Sequence, residues 1–237
     1  MRNLLLMSSS KYADTGYLAH SQTWLAEHFQ AQITAQQEVL FISYAGVTTH
    51  GAEYTAKVAA VLSSIGLLIR GIESYADPRS AVANAAGILV GGGNTFVLLS
   101  ELYRHGLIDL IRHQVLNGIP YAGWSAGANI AGRSIKTTND MPIVQPPSFT
   151  ALRLVNFQLN PHYMDQHPPG FHGETRAQRL AEFMVLNPAT TIVGLREGTA
   201  LKIQQRMRLI GDHGGVYFRD GREAHFKAGQ DCSFLLE

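Results

Sequence analysis

Ser125 lies at the centre of residues 123–127, whose sequence is GWSAG. A Gly-x-Ser-x-Gly segment between a strand and a helix is typical of a nucleophile elbow, a sharp turn that exposes the serine hydroxyl. Small residues beside the serine let neighbouring strands and helices approach closely. A purely structural turn is the competing interpretation. The apolar run before the motif and the helix-compatible sequence after it favour a serine nucleophile that performs acyl transfer.

A second glycine-rich segment, residues 91–95 (GGGNT), ends a predicted strand and opens a predicted helix. Backbone N–H groups exposed there can hold a phosphate or the oxyanion of an acyl transfer. The spacing matches neither the dinucleotide fingerprint nor the phosphate-binding P-loop. A nucleophile elbow takes one oxyanion donor from the residue after the serine and another from a strand-end loop. We therefore predict an oxyanion hole formed by the N–H groups of Gly93 and Ala126, with Asn94 binding substrate; a simple tight turn is the alternative.

A serine hydroxyl needs a base, which is usually an oriented histidine. Among the ten histidines, His162 follows Pro161 at the end of an extended segment, where its ring can be held above a sheet edge. The histidines on predicted helices and in the C-terminal turns look like solvated surface groups. His167 and His172 follow at five-residue intervals, but this spacing does not match a recognisable zinc-ligand frame. We predict His162 as the base, with no metal and no cofactor.

Two acidic residues can orient the imidazole of His162. Asp140 lies in a polar turn just before Pro142, and Glu197 follows a predicted strand that points toward the ligand-binding edge. Either position also suits a solvated loop carboxylate. The residues themselves leave this choice open, so both acids are predicted catalytic residues.

The first half of the chain alternates apolar runs with helix-period stretches, which is typical of βα units around a parallel sheet. Tyr54 to Ile65, for example, carries apolar residues at three- and four-residue spacing. Thr175 and Gln178 fit a capping box at a later helix, while Asp14 and Thr15 can cap the first helix. The predicted strands here are Leu4–Met7, Val39–Ile42, Leu67–Ile72, Ile88–Val90 and Ile119–Ala122.

The C-terminal part contains short apolar runs separated by glycine-containing turns, which predicts a β-rich segment. The chain has 237 residues and shows no internal repeat, low-complexity tract or linker. We therefore predict a single α/β domain over residues 1–237. The predicted C-terminal strands are Thr191–Gly194, Leu201–Ile203, Arg208–Ile210, Val216–Phe218 and Cys232–Leu236.

Composition narrows the function classes. Hydrophobic residues make up 46% of the chain, enough for a sizeable core. The net charge is only +1, without a basic stripe of the kind that binds nucleic acid. The N-terminal apolar run is too short for a signal peptide, and no run reaches the roughly 18 residues of a membrane span. The single Cys232 fits a reducing compartment, so we predict a cytoplasmic protein, as a monomer or homodimer.

Five segments stand out together: residues 91–95 (GGGNT), 123–129 (GWSAGAN), 137–143 (TTNDMPI), 160–162 (NPH) and 173–176 (GETR). As a set, these segments resemble the peptidase E family of aspartyl dipeptidases, which is related to cyanophycinase. They occur in order over most of the chain, and together they are far more specific than the elbow alone. The resemblance implies a flavodoxin-like, three-layer α/β/α sandwich related to class I glutamine amidotransferases, with a mostly parallel central sheet.

The resemblance also implies roles for matching residues. Ser125 corresponds to the nucleophile and His162 to the base. Asp140 matches a position regarded as part of the charge relay, and Glu197 matches an acid proposed as the third triad member. The chain departs from the family pattern at Arg196, where a proline is expected and where the arginine can pair with Glu197. Members of the family release N-terminal aspartate from dipeptides, which makes an Asp-X dipeptide the expected substrate and partner.

An Asp-X substrate needs a fixed cation for its side-chain carboxylate. Arg176, at a predicted helix start, is the predicted ligand because a guanidinium grips a carboxylate with two parallel hydrogen bonds. Arg179 is the competing cation. The free ammonium of the substrate needs an acid, and we expect it to be whichever of Asp140 and Glu197 does not orient His162.

Other functions compete with this prediction. One is a related serine hydrolase that acts on cyanophycin-like aspartyl polymers. A glutaminase needs a cysteine in the elbow, where this chain has Ser125, and Cys232 is remote from it in sequence. A third competing function is that of a non-catalytic binding protein on an inherited scaffold, in which Ser125 has no chemical role.

Overall fold

The computed structural model describes residues 2–167, 170 and 172–236. Met1, Pro168, Pro169, Phe171 and Glu237, which the single-domain prediction includes, lie outside them. The helices are α1 (Gln22–Gln30), α2 (Gly51–Leu62), α3 (Pro78–Ala83), α4 (Thr95–Arg104), α5 (Ile108–Leu116), α6 (Ala126–Asn129) and α7 (Arg176–Leu186). The strands are β1 (Leu4–Met7), β2 (Glu38–Ile42), β3 (Leu68–Gly71), β4 (Gly87–Val90), β5 (Tyr121–Trp124), β6 (Gln158–Pro161), β7 (Ile192–Leu195), β8 (Thr199–Ile203), β9 (Met207–Gly211), β10 (Gly215–Arg219) and β11 (Arg222–Phe226).

The central sheet has seven strands in the order β3-β2-β4-β5-β1-β8-β9. Its first five strands run parallel, and β8 and β9 extend it in antiparallel fashion. The mostly parallel central sheet predicted from the sequence is therefore confirmed. Strands buried on both faces require continuous apolar runs, which is why β1, β2 and β4 could be recognised in the sequence.

Helices cover both faces of this sheet. Along β1, Leu4 and Leu6 pack into one apolar cluster, while Leu5 and Met7 pack into another on the opposite face. The first cluster receives the buried side chains of α3, α4 and α5, and the second receives those of α1 and α2. The resulting three layers leave the carboxyl ends of the parallel strands free to carry loops. Among the described residues, no helix is long and apolar enough to cross a membrane.

A second sheet has four strands in the order β11-β10-β7-β6. Its β6 and β7 pair in parallel, and β10 and β11 are antiparallel neighbours. Helix α7 covers this sheet with the buried side chains of Leu180 and Met184. The predicted capping box is confirmed, since Thr175 and Gln178 exchange side-chain and backbone hydrogen bonds at the start of α7.

The prediction that Asp14 and Thr15 cap the first helix is wrong. Thr15 instead closes a turn onto the carbonyl oxygen of Tyr12, and Leu18 adopts a left-handed conformation with φ of 56°. A residue in that conformation interrupts a right-handed helix. Helix α1 therefore begins only at Gln22, and the buried Leu25 and Phe29 form its inner face.

The C-terminal prediction was wrong at one strand and incomplete at another. Residues 232–236 do not form a strand; Ser233–Leu235 is a single 3-10 turn. Strand β11 (Arg222–Phe226) was not predicted because its residues are mostly polar and exposed.

Helix α3 was also missed, although Asp77 followed by Pro78 is a helix-start signal: the Asp77 carboxylate accepts hydrogen bonds from the N–H groups of Arg79 and Ser80.

Candidate active site

Ser125 lies in a strained turn between β5 and α6. Its φ of 53° and ψ of −114° place a non-glycine residue in a region that such residues rarely adopt. The turn is held by the Ser125 N–H, which donates to the carbonyl oxygen of Met7 at 3.1 Å. Gly127 allows the close packing behind the turn, since a Cβ there would lie 2.2 Å from the carbonyl oxygen of Val90. The local geometry is that of a nucleophile elbow.

The His162 ring connects Ser125 to an acid. Its Nε2 lies 3.0 Å from the Ser125 Oγ, and its Nδ1 lies 2.7 Å from the Glu197 Oε1. His162 follows β6, and Glu197 follows β7, its parallel neighbour, so both side chains come from strand carboxyl ends in the second sheet. The three groups form a continuous hydrogen-bonded chain of the kind that turns a serine into a nucleophile.

Asp140 contacts Thr95 at the start of α4. Its Oδ2 accepts hydrogen bonds from the Thr95 N–H at 2.7 Å and the Thr95 Oγ at 2.5 Å, at the first residue of α4. A carboxylate at this position satisfies a free helix N–H and interacts favourably with the helix dipole. Of the two acids that the sequence offered as partners for His162, Glu197 is the one that contacts it. Asp140 anchors the loop beside the elbow.

Two backbone N–H groups next to the elbow lack a hydrogen-bond partner among the described residues. No hydrogen bond among the described residues uses the N–H of Ala126, the first residue of α6, or that of Gly93. Gly93 has a φ of 142°, and a Cβ on it would lie 2.0 Å from the carbonyl oxygen of Ala45. Only glycine fits there, and its N–H remains available to a ligand.

A sequence model of Peptidase family S51 matches residues 4–210. The chain belongs to peptidase family S51. It is 50% identical to the Peptidase E of Shewanella sp. (strain MR-4) and 51% identical to that of Shewanella sp. (strain ANA-3), with 99% of each chain covered in both comparisons. The resemblance to the peptidase E family is thus confirmed.

Two solved structures show the same fold as this family S51 peptidase. One, a putative peptidase E protein from Listeria monocytogenes EGD-e, has a TM-score of 0.61 at 24% identity, covering 97% of this chain and 100% of that one. The other, a peptidase from an acI-B1 Actinobacterium, has a TM-score of 0.67 at 20% identity, covering 98% and 97%. The predicted flavodoxin-like α/β fold is confirmed.

The side chain of Asn94 has a structural task in this peptidase. Its Oδ1 accepts from the N–H groups of Phe96 and Val97, so it caps α4, and its Nδ2 donates to the Met141 carbonyl oxygen. The amide oxygen is thereby committed to the protein. The structure therefore gives Asn94 a role in shaping the loop, which differs from the predicted contact with substrate.

The arginines differ in their availability. Arg196 does not pair with Glu197; it binds the carboxylate of Asp165, and this contact raises the pKa of Arg196 and lowers that of Asp165. Arg176 is the first residue of α7, and its half-buried side chain has an Nε without a hydrogen-bond partner among the described residues. Burial lowers the pKa of Arg176, with a further contribution from Arg179. An anion would stabilise such a guanidinium, although no contact among the described residues joins it to Ser125, His162 or Glu197.

Sequence reasoning missed Ser8. This fully buried residue follows β1, accepts a hydrogen bond from the His162 N–H at 2.9 Å and donates one to the Leu195 carbonyl oxygen at 2.8 Å. It therefore joins the central sheet to the ends of β6 and β7. His162 has a φ of 55°, so its backbone needs such support. The run of serines at 8–10 was the only available signal, and it did not indicate this role.

Hydrogen bonds join residues 137–139 to residues 159–161. Thr137 donates through its hydroxyl to the Leu159 carbonyl oxygen, and Asn160 donates through its amide to the Thr137 carbonyl oxygen. The Asn139 amide donates to the Pro161 carbonyl oxygen at 2.8 Å. These bonds fix the end of β6, immediately before His162.

Within the described part of the chain, no group of three His, Cys, Asp or Glu residues is arranged to hold a metal ion.

Proposed function

We propose that this peptidase is a serine dipeptidase that hydrolyses Asp-X dipeptides through an acyl-enzyme on Ser125. The observation that carries the proposal is the chain of two hydrogen bonds from the Ser125 Oγ through His162 to Glu197. Membership of the family, whose curated relatives are named Peptidase E, supports the reaction class.

In the proposed first step, the Ser125 Oγ attacks the peptide carbonyl carbon while the His162 Nε2 takes the hydroxyl proton. The carbonyl oxygen becomes an oxyanion, which the N–H groups of Gly93 and Ala126 hold. Collapse of the tetrahedral intermediate breaks the C–N bond, and His162 returns the proton to the leaving amine. Water, deprotonated by His162, then hydrolyses the ester and releases aspartate.

Glu197 has a defined part in this scheme. Its carboxylate accepts from Nδ1 of His162, which keeps the proton on Nδ1 and leaves Nε2 free to accept the serine proton. It also stabilises the imidazolium that forms in each step.

The two charged ends of the substrate require opposite partners. We assign the substrate ammonium to Asp140, because only its Oδ2 takes part in hydrogen bonds among the described residues and Oδ1 is left over. The substrate's side-chain carboxylate is assigned to Arg176, whose Nε lacks a partner among those residues. An arginine fork fixes the distance between carboxylate and reacting carbon, so one extra methylene should misplace it.

Hydrolysis of Asp-Leu, Glu-Leu and Asn-Leu by the wild type and by Ser125→Ala tests this function. We expect rapid cleavage of Asp-Leu alone and its loss in Ser125→Ala. Arg176→Gln should raise the KM for Asp-Leu strongly, whereas Arg179→Gln, on the exposed side of α7, serves as the matched control. Rapid cleavage of Glu-Leu would overturn the Arg176 assignment.

Two other results would replace the proposed substrate or the proposed chemistry. Activity on a cyanophycin-like aspartyl polymer without activity on Asp-Leu would make the protein a polymer hydrolase. Unchanged behaviour of Ser125→Ala, together with failure of a fluorophosphonate to label Ser125, would show that the scaffold does not use this serine.

We also propose that the protein acts in the cytoplasm. Its single cysteine, Cys232, is buried, and burial raises the pKa of its thiol to about 11, so the chain relies on no disulfide. Fractionation of the cells that produce it, followed by immunodetection, tests the location, and recovery outside the cytoplasmic fraction would refute it.

A further inference from the structure

A buried tyrosine contacts the glycine-rich loop from below. The hydroxyl of Tyr54, on α2, donates to the carbonyl oxygen of Gly92 at 2.9 Å. Tyr54 is only 7% exposed and packs in the apolar cluster beneath the sheet edge. A second phenol supports it, since the Tyr17 hydroxyl donates to the Tyr54 Oη at 3.2 Å. Two tyrosines thus form a hydrogen-bonded chain that ends on a single backbone carbonyl.

The contact fixes the direction of the next N–H group. The described residues contain no cis peptide bond, so the Gly92 carbonyl and the Gly93 N–H point in opposite directions across one planar unit. With the carbonyl directed at the buried Tyr54, the N–H is directed away from it. Gly93 is exposed and its N–H has no internal hydrogen-bond partner among the described residues, so a ligand can reach the loop at this residue.

The loop itself lies beside the nucleophile. A Cβ built on Gly92 would lie 3.0 Å from the Ser125 Cβ, which places the Gly92–Gly93 peptide directly beside the serine. The Gly93 N–H is one of the two groups assigned above to the oxyanion.

No other hydrogen bond among the described residues engages this peptide. The Gly91 N–H donates to the Ile42 carbonyl oxygen and the Asn94 N–H to the Ala45 carbonyl oxygen, so the loop is fixed on both sides of the unit. Between those points, no internal hydrogen bond uses the N–H of Gly92 or Gly93. A peptide flanked by glycines can rotate at little steric cost. The Tyr54 hydroxyl is therefore the contact that selects one orientation.

We propose that Tyr54 is a positioning residue for catalysis, which orients the Gly92–Gly93 peptide so that the Gly93 N–H serves the oxyanion hole. The inference rests on the proposed serine-hydrolase function and adds a residue to it. Tyr54 touches no reacting atom and acts only through the backbone of the loop.

The phenols are suited to this task because they remain protonated. Burial raises the pKa of Tyr54 and of Tyr17, so both hydroxyls keep their protons at neutral pH. Tyr17 donates to Tyr54, which leaves the Tyr54 proton to point at the Gly92 carbonyl. Tyr17 is thus expected to contribute more weakly, through Tyr54.

The test replaces Tyr54 with Phe, which removes the hydroxyl and keeps the ring. The loss of one oxyanion donor costs roughly 100- to 1,000-fold in kcat, and a donor that is present only part of the time should cost less. We expect kcat for Asp-Leu to fall about 10- to 100-fold in Tyr54→Phe, with KM within about twofold of the wild type. Tyr17→Phe should show a smaller fall in the same direction, and it provides a second variant if Tyr54→Phe folds poorly.

The matched control is Tyr103→Phe. The Tyr103 hydroxyl also donates to a backbone carbonyl, that of Thr150, at 2.9 Å, and it lies on α4 away from the loop. Its removal should leave kcat unchanged, while the thermal midpoints of both variants report any loss of stability. A fall in kcat of the same size in Tyr103→Phe would overturn the inference, as would a Tyr54→Phe enzyme with wild-type kcat.

A second readout separates positioning from general damage to the fold. An aspartyl boronate, whose tetrahedral adduct with Ser125 places an oxygen in the oxyanion hole, should lose affinity in Tyr54→Phe by the same factor as kcat/KM, whereas product aspartate should bind unchanged. Equal losses for both ligands would overturn the inference. A wild-type protein that fluorophosphonates fail to label at Ser125 would instead refute the proposed function itself. Labelling of the wild type and of Tyr54→Phe at equal rates would refute the inference alone.

Discussion

Glu197 and His162 are joined by a 2.7 Å contact between the Oε1 of the acid and the Nδ1 of the ring. The side chain of Glu197 is about half exposed, at 53%, so the value of this pair lies in orientation more than in burial. We predict that Glu197→Gln lowers kcat by at least about 100-fold, because a glutamine NH₂ can favour the tautomer with the proton on Nε2. Steady-state kinetics on Asp-Leu measure this effect.

The same variant should leave the fold unchanged. An exposed side-chain pair contributes little to stability, so the thermal midpoint of Glu197→Gln should match that of the wild type. Asp165→Asn, which removes the carboxylate that binds Arg196, is the control for loss of a neighbouring acid and should retain most of the activity. Full activity in Glu197→Gln would show that another group orients His162.

Asp140 should behave differently from Glu197. Asp140→Asn weakens the two hydrogen bonds to Thr95 and removes a charge that favours the start of α4. We predict a lower thermal midpoint, by about 2–4 °C if the loss is about 1 kcal/mol, together with a raised KM because the substrate ammonium loses its partner. Differential scanning calorimetry and steady-state kinetics measure the two effects, and an unchanged midpoint would contradict the anchoring role.

Much of the fold followed from local patterns in the sequence. The strands β1, β2 and β4 are apolar on both faces, and the helix-start signal at Thr175 is satisfied within four residues, so both could be recognised without tertiary information. The start of helix α1 could not be predicted, because the left-handed conformation of Leu18 depends on the turn that its N–H closes onto the Ser10 carbonyl oxygen. Strand β11 carries mostly polar residues at a sheet edge, and a polar edge strand resembles a loop.

The candidate active site was likewise only partly predictable from the local sequence. The elbow at Ser125 and the histidine after Pro161 could be found from residue types and neighbours. The choice between Asp140 and Glu197 could not, because it depends on the parallel pairing of β6 with β7, which places Pro161 opposite Leu195. That pairing belongs to the second sheet; local patterns predicted its strands β7 and β10, but not that they form a sheet of their own with β6. Ser8 was missed for a similar reason, since its partners lie 154 and 187 positions along the chain.

Ser8 provides a test of how the two sheets hold the site together. Ser8→Ala leaves the part-buried His162 N–H without an acceptor and removes the buried hydrogen bond to the Leu195 carbonyl oxygen. An unsatisfied buried donor costs about 1–3 kcal/mol, so we predict a lower thermal midpoint. We also predict a fall in kcat of about tenfold, because a small displacement of a catalytic group has a large effect on rate.

Ser21→Ala is the matched control for Ser8→Ala. Ser21 is also fully buried and its hydroxyl donates to a carbonyl, that of Leu18, at 3.0 Å, but it lies at the start of α1. Its loss should lower the thermal midpoint without changing kcat. If both variants lost stability and neither lost activity, Ser8 would be a structural residue only.

The last prediction concerns stability against pH. His28 on α1, which was expected from the sequence to be a solvated surface group, is only 1% exposed, and burial lowers its pKa from 6.5 to about 4. The unfolded chain therefore binds a proton between pH 6.5 and 4 that the folded protein does not, so this histidine destabilises the fold as the pH falls through that window.

Replacing His28 with Leu should remove that part of the pH dependence. Between pH 6.5 and 4.5, we expect the free energy of unfolding of the wild type to fall by about 2 kcal/mol more than that of His28→Leu, since one pKa unit corresponds to about 1.4 kcal/mol. Urea unfolding at each pH measures the difference. His113→Leu, at an exposed position of α5, is the control and should follow the wild-type curve. Parallel curves for the wild type and His28→Leu would mean that His28 keeps an ordinary pKa in the folded protein, because only a pKa that differs between the two states can make stability depend on its protonation.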